Sequence, residues 1–174
     1  YVSGANDKFT GANAHAGLFS RTGGGTGAKG MTFKNIRLVN ASVTAAGEYC
    51  AGALVGHTSD AVIQNCWVYW EPDGDVTDLK AVLGSDAEGA GYQYQITGAS
   101  AGGLVGYSKG NCTITGSLAA TLVNGAASAG GLIGTADSSP TAIKYSYADC
   151  YLTGGAKASV AGLIGQLNNG RNAA

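Results

Sequence analysis

The hexapeptide Ala101-Gly102-Gly103-Leu104-Val105-Gly106 decides the fold of this chain, because close copies of it recur along the sequence. Three copies align with it directly, Ala51-Gly52-Ala53-Leu54-Val55-Gly56, Ala129-Gly130-Gly131-Leu132-Ile133-Gly134 and Val160-Ala161-Gly162-Leu163-Ile164-Gly165, and a degenerate copy is Ala16-Gly17-Leu18-Phe19-Ser20. The leucines of successive copies lie 36, 50, 28 and 31 residues apart. A unit that recurs at such a spacing is typical of proteins built from stacked, equivalent segments.

A second apolar marker follows each of the first four leucines, at Phe33, Ile63, Ile114 and Ile143. In the six residues that start at each marker, positions 1, 4 and 6 are apolar or small. This spacing favours a bend after the first residue, followed by a strand that alternates between inward and outward side chains. Equivalent inward residues should stack in rows. The candidates, one set for each repeat, are Phe33, Ile36 and Leu38 in the first, Ile63, Cys66 and Val68 in the second, Ile114, Ser117 and Ala119 in the third, and Ile143, Ser146 and Ala148 in the fourth.

In each hexapeptide the leucine is the expected inward residue, and the glycines permit tight turns or close contact between layers. A small residue four positions before each leucine predicts a tight corner, at Ala14, Cys50, Ser100, Ser128 and Ser159. No window has the apolar period of a helix, and one repeat cannot bury its own apolar face. The sequence therefore predicts an all-β fold, a β-solenoid of about five coils with repeats of about 28–31 residues, in a single domain over residues 1–174.

The interval of 50 residues contains an insertion, residues 71–91, that the repeat does not require. It holds six of the eleven acidic residues, and insertions in repeat proteins form surface loops that often carry function. Asp73, Asp75 and Asp78 present oxygen atoms at short spacing around Gly74, which makes them candidate Ca²⁺ ligands. The alternative interpretation is a solvated loop without metal, and we expect no other cofactor.

Composition excludes several classes of protein. The net charge is −1 and the basic residues are scattered singly, which argues against nucleic-acid binding. No apolar run reaches the roughly 18 residues that a membrane span needs. Because the chain opens at Tyr1 without a signal-peptide pattern, we expect a segment of a larger protein.

The four cysteines, Cys50, Cys66, Cys112 and Cys150, have no zinc-site spacing. Most of them are expected to be small buried residues, since free cysteine is among the most buried residue types. One or two disulfides in an exported protein are the alternative, with three possible connectivities.

The repeated blocks, each followed by a strand such as Ile63-Gln64-Asn65-Cys66-Trp67-Val68, resemble the GLUG repeat over nearly the whole chain. This resemblance implies a parallel β-solenoid in an exported bacterial protein. The family includes adhesin-like chains and the non-catalytic regions of IgA-specific metallopeptidases. The repeat has no activity of its own and implies a scaffold.

Catalytic signatures are weak. The chain has only His15 and His57 and no His-Glu-x-x-His motif, and the sequence around His57, Ser59 and Asp60 is better interpreted as a solvated turn than as a catalytic triad. A polysaccharide-active β-helix enzyme would need clustered carboxylates, and the predicted strands carry almost no acidic residues apart from Asp149.

Outward aromatic residues are better candidates for binding. Trp67 and Tyr147 occupy equivalent positions of their repeats, and exposed aromatic side chains can hold sugars or protein partners by stacking and apolar contact. The candidate ligand-binding residues are Trp67, Tyr69, Trp70, Tyr145, Tyr147 and Tyr151. The alternative is that they shield an edge or pack under the insertion.

The sequence thus favours a non-catalytic adhesion or binding module of a bacterial extracellular or cell-surface protein. Its expected ligands are a host glycan or protein, and its expected neighbours are other domains or copies of the same protein at the solenoid ends. A structural spacer, or a filament or surface-layer subunit, is the first alternative. A polysaccharide-active β-helix enzyme is the second.

Overall fold

The computed structural model describes residues 8–11, 14–23, 30–70, 94–137 and 141–168. Within these ranges the protein is all-β, with strands and no helix, as predicted. No helix there has the length and apolar character required to cross a membrane. The insertion at 71–91 falls in the interval that the described ranges leave out.

The strands follow one another along the chain at short intervals. The first nine are β1 (Lys8–Gly11), β2 (Phe19–Thr22), β3 (Thr32–Lys34), β4 (Arg37–Val39), β5 (Ser42–Ala45), β6 (Ala51–Gly52), β7 (Val55–Gln64), β8 (Trp67–Tyr69) and β9 (Gln95–Gly102). The remaining nine are β10 (Val105–Thr115), β11 (Leu118–Ala120), β12 (Leu122–Gly130), β13 (Ile133–Asp137), β14 (Thr141–Lys144), β15 (Tyr147–Ala148), β16 (Tyr151–Gly154), β17 (Ser159–Ala161) and β18 (Ile164–Asn168).

The strands form three sheets, and every pairing between them is parallel. Sheet A has the order β1-β5-β9-β12-β16, with β6 beside β9 and β17 beside β12. Sheet B has the order β18-β13-β10-β7-β2, with β3 beside β7 and β14 beside β10, and sheet C has the order β15-β11-β8-β4. Along the chain, strands are contributed to sheets A, B and C in turn, and this order then repeats. We call one such series of strands a pass.

The register between passes confirms the predicted rows. Phe33 pairs with Ile63, Ile63 with Ile114, and Ile114 with Ile143. A second row joins Leu38, Val68, Ala119 and Ala148. In the passes that have a neighbour on both sides these side chains are fully or almost fully buried, as are Leu54, Leu104 and Leu132 of the hexapeptides.

The bend in the second half of each repeat lies later than the sequence predicted. Each strand continues through the first residue after the marker, and the second residue after the marker turns the chain with a positive φ. These residues are Asn35 (58°), Asn65 (51°), Gly116 (58°) and Tyr145 (52°). Asparagine and glycine tolerate this left-handed conformation, and Asn65 Nδ2 also donates to Asn35 Oδ1 at 2.7 Å.

The last glycine of each hexapeptide lies directly on the backbone of the preceding pass. A methyl group at Gly106 would lie 2.7 Å from the backbone N and C of Ala51, and one at Gly134 would lie 2.7 Å from the backbone N of Ala101. Real Cβ atoms do not approach other atoms this closely, so sheets A and B meet here only because the side chain is absent.

In two repeats the small residue four positions before the leucine does not form the predicted corner, whereas Ala14 lies at a bend and Cys50 lies outside the strands. Ser100 lies inside β9 and Ser128 inside β12, and both are buried. Ser100 Oγ donates to the Gly106 carbonyl at 2.7 Å, and the Ser100, Ser128 and Thr135 hydroxyls lie within 2.9 Å of one another. In these two repeats the serine hydroxyl bridges the two closely spaced sheets.

All four cysteines are free, which agrees with the buried interpretation and not with disulfides. Cys66 occupies the row of Ser117, whose Oγ accepts the Cys66 backbone N–H at 3.1 Å. Cys112 pairs in register with Ala61 and Thr141 instead of with another cysteine. Burial raises the pKa of Cys50, Cys112 and Cys150 to about 11, so these thiols stay protonated and unreactive at neutral pH.

The glycine contact gives a direct test of the packing. Gly106→Ala should destabilise the protein by about 3 kcal/mol or more, because the new methyl group would overlap the backbone of Ala51 and Gly56. Gly162→Ala adds the same methyl group to a hexapeptide at a site with nothing within 4 Å, and should change stability by less than about 0.5 kcal/mol. Urea unfolding followed by circular dichroism measures both, and equal losses would contradict the proposed contact.

Candidate functional site

The six candidate aromatic residues do not all belong to one sheet. Trp67 and Tyr69 lie on β8 and Tyr147 on β15, all in sheet C, with Trp70 directly after β8. Tyr151 begins β16 of sheet A, and Tyr145 forms the bend before β15.

Trp67 and Tyr147 occupy equivalent positions, as predicted, since both pair with Leu118. They are two strands apart, which corresponds to roughly 9.5 Å. Trp67, however, is half-buried, and Arg37 Cζ lies 4.5 Å from its ring centroid in a cation–π contact. Its Nε1 donates to the Gly116 carbonyl at 3.4 Å. One face of the Trp67 ring is therefore already occupied by the protein.

The most exposed aromatic side chains are concentrated in residues 145–151. Tyr145 is 91% exposed and Tyr147 is 61% exposed, and Tyr151 is also exposed. Lys144 and Asp149, on the same segment, are exposed as well. This segment presents flat apolar rings and hydroxyl groups to solvent, the combination that stacks on sugar rings and accepts or donates hydrogen bonds at their edges.

Tyr145 departs from the pattern of its row. Asparagine or glycine occupies the left-handed bend in the other three passes, whereas Tyr145 adopts φ of 52° with a bulky side chain. That conformation costs about 1–2 kcal/mol for a residue other than glycine. Because the ring is almost fully exposed, packing does not offset this cost. Strain that packing does not explain is frequently a property of functional positions.

A second cluster, on the outer side of sheet B, was not predicted. His57 lies between His15, at a centroid distance of 4.9 Å, and Tyr107, at 5.0 Å. The Tyr107 hydroxyl donates to Asp137 Oδ2 at 2.6 Å, and His15 Nδ1 accepts the Cys50 backbone N–H at 3.0 Å. The signal for this stack was present in the sequence, because His57 and Tyr107 each follow the hexapeptide leucine by three residues.

The interpretation of residues 56–60 as a solvated turn is wrong. They lie in β7, His57 is half-buried and Thr58 is fully buried. No triad forms around His57: Asp60 Oδ1 accepts the Asn111 backbone N–H at 2.8 Å, and His57 Nδ1 is buried without a hydrogen-bond partner among the described residues.

The environment of the stack keeps both histidines neutral. Burial, and then the positive charges of His15 and Arg21, lowers the pKa of His57 to about 4. Burial also lowers the pKa of His15, and Arg21 adds to the effect. Burial and the bond to Asp137 raise the pKa of Tyr107. The stacked rings are therefore better suited to holding neighbouring passes together than to acid–base catalysis near neutral pH.

The candidate calcium ligands Asp73, Asp75 and Asp78 lie outside the described residues. Within the described ranges, no group of three or more His, Cys, Asp or Glu side chains is arranged to hold a metal ion.

The strain at Tyr145 can be measured by an exchange of residues between passes. Tyr145→Asn should stabilise the protein by about 1 kcal/mol, because asparagine tolerates the left-handed bend. The reciprocal change, Asn65→Tyr, should destabilise it by about 1–2 kcal/mol, since it introduces the strain and removes the bond to Asn35. Urea unfolding midpoints report both changes, and a destabilising Tyr145→Asn would argue against strain.

The histidine stack predicts a loss of stability in weak acid. The unfolded chain binds protons near pH 6.5, whereas folded His57 resists protonation until about pH 4, so stability is complete above pH 6.5 and falls as the pH drops toward 4. We expect a loss of about 1 kcal/mol between pH 7 and pH 5, allowing for partial solvent exposure. Chemical denaturation at both pH values measures it. In His57→Gln most of this difference should disappear, and an unchanged pH dependence would show that His57 is not its source.

Comparison of the chain with protein-family models, with curated proteins and with solved structures finds no match. The resemblance to the GLUG repeat therefore stays a prediction.

Proposed function

We propose that the three parallel sheets form a β-solenoid that serves as a non-catalytic binding module. The regular order of sheets and the in-register rows support the solenoid, since the first four passes pair with one another in all three sheets. The binding surface consists of Tyr145 and Tyr147, with Tyr151 at its border.

The observation that carries the binding function is Tyr145. A bulky aromatic ring stands at a strained bend where the other passes use asparagine or glycine, and 91% of it is exposed. The fold gains nothing from this ring, so its benefit must come from contact with another molecule.

Carbohydrate is the ligand class that this surface fits best. Tyr145 and Tyr147 offer exposed ring faces, and each hydroxyl can bond to a sugar hydroxyl. The charged side chains Lys144 and Asp149 flank the two rings, which adds polar contacts without a strong net charge. A neutral glycan matches this mixture of apolar faces and balanced charge.

The location of the module and its role in adhesion rest on the resemblance to GLUG repeats, which implies a bacterial secreted or cell-surface protein. A spacer is the alternative function, favoured by the way each pass pairs with the passes beside it along the stack. The polysaccharide-active enzyme has the least support, because the acidic side chains Asp60 and Asp137 are both engaged in structural hydrogen bonds.

A glycan-array screen tests the proposal. The parent should bind a defined set of glycans, and a Tyr145→Asn, Tyr147→Ala double variant should bind them at least about tenfold more weakly. The first substitution is expected to stabilise the fold, so a loss of binding would not reflect unfolding.

Trp67→Leu is the matched control. It removes an aromatic ring from the same row, but one whose face is already covered by Arg37, so binding should change little. No binding by the parent, or an equal loss in the control, would contradict a carbohydrate site at Tyr145 and Tyr147.

A further inference from the structure

Both histidines of the chain lie at one interface. The sequence contains only two of them. His15 belongs to the first pass, between β1 and β2, and His57 lies on β7 of the second pass. Their ring centroids are 4.9 Å apart. The only side chains of the protein whose ordinary pKa lies near 6.5 therefore meet across the boundary between the first two passes.

His15 connects the first pass to the second. Its Nδ1 accepts the backbone N–H of Cys50 at 3.0 Å, and its ring packs edge-on against Tyr49 at a centroid distance of 5.5 Å. Next to it, the Ala16 N–H donates to the Cys50 carbonyl at 3.0 Å, and the Ala16 carbonyl accepts the Gly52 N–H at 3.2 Å. The segment of His15 and Ala16 is thus bonded at several points to the start of the second hexapeptide.

The bond between His15 and Cys50 exists only while His15 is neutral. An imidazole accepts a hydrogen bond at the ring nitrogen that carries no proton, whereas both nitrogens of an imidazolium ring are donors. Protonation of His15 would place a ring N–H opposite the backbone N–H of Cys50, a buried residue. A buried N–H that loses its acceptor destabilises the structure. His15 can therefore take up a proton only when its ring leaves Cys50.

His57 is also held in a form without charge. Its Nδ1 is buried and has no hydrogen-bond partner among the described residues, so nothing there would stabilise an added proton. Its ring lies between His15 and Tyr107, with a centroid distance of 5.0 Å to the tyrosine. A charged ring at this position would keep the stacked neighbours but lose its hydration.

The charges around His57 disfavour a further positive charge. Arg21 of β2 pairs in register with His57, and Lys109 lies on β10 beside β7. Burial and these basic neighbours lower the pKa of His57 to about 4. The carboxylates of the region are engaged elsewhere, since Asp60 of β7 accepts a backbone N–H of β10 and Asp137 of β13 accepts the hydroxyl of the stacked tyrosine.

We propose that protonation of His15 and His57 in weak acid opens the interface between the first and second passes, while the third and fourth passes stay folded. In a stack, a penalty at one interface acts on the passes that meet there. The positions equivalent to His57 in later passes hold Tyr107, Thr135 and Gln166, none of which gains a proton in weak acid. The interface is closed above about pH 6.5 and opens as the pH falls toward 4, because the open form binds protons that the closed form excludes.

Hydrogen exchange of the 174-residue chain, followed by mass spectrometry at pH 7 and pH 5, tests the proposal. Protection factors, corrected for the intrinsic exchange rate at each pH, are compared between passes. From pH 7 to pH 5 the amides of β2 and β3 should lose protection at least about tenfold, whereas those of β10 and β12 should change less than about twofold. Amides of β2 that exchange freely at pH 7 or keep full protection at pH 5, or an equal loss in all passes, would overturn the proposal.

Two substitutions remove the titrating groups and keep the contacts. His15→Asn retains an acceptor for the Cys50 N–H, and His57→Tyr retains a stacked ring of the kind that Tyr107 provides at the equivalent position. Each single variant should reduce the acid-induced loss of β2 protection at least about threefold, and the double variant should abolish it. The single variants keep the test valid if the double variant does not fold. Variants that lose as much protection as the parent would contradict the role of the histidines.

Tyr107→Phe is the matched control. It keeps a ring against His57 but removes the hydroxyl bond to Asp137. Because neither histidine changes, β2 should lose as much protection in acid as it does in the parent. If the acid-induced loss disappeared in this variant, its source would be the Asp137 carboxylate and the proposal would be wrong.

Discussion

The contact on which the rest of the structure depends is the approach of the last glycine of each hexapeptide to the backbone of the preceding pass. At Gly106 and Gly134 there is no space for even one methyl group. This contact holds sheets A and B closely together, so the positions beside it must be small or carry a hydroxyl, as Ser100 and Ser128 do. Leu54, Leu104 and Leu132 are then directed into the remaining interior, where they are fully buried.

The positions that depart from the repeat are the ones that suggest function. The left-handed bend is filled by asparagine or glycine in three passes and by Tyr145 in the fourth. This departure does not improve the packing of the protein itself, because the Tyr145 ring is exposed.

The sequence was sufficient to predict the rows of the core, because glycine and leucine at fixed positions encode which residues become equivalent. It was less informative about geometry. The bend was expected directly after Phe33 and Ile63 but occurs at Asn35 and Asn65. The relevant signal was the asparagine or glycine two residues after each marker, because these residues tolerate the left-handed conformation.

The histidine stack was missed for a related reason. His57 and Tyr107 occupy the same position of neighbouring repeats, so their contact could have been predicted, whereas His15 lies three residues before Leu18 and has no equivalent position in the stack. The exposure of Val160 and Leu163 could not be predicted from the motif either, because their equivalents Ala129 and Leu132 are buried and only the place in the stack decides the exposure.

The parallel register has a consequence for the evolution of the chain. Neighbouring passes contact one another through equivalent residues, such as Val55, Val105 and Ile133 in sheet B. The two sides of a repeat therefore carry matching rows. A duplication or deletion of one complete repeat, such as the 28 residues between Leu104 and Leu132, would join surfaces that already match. The length of this protein can therefore change by whole repeats through recombination.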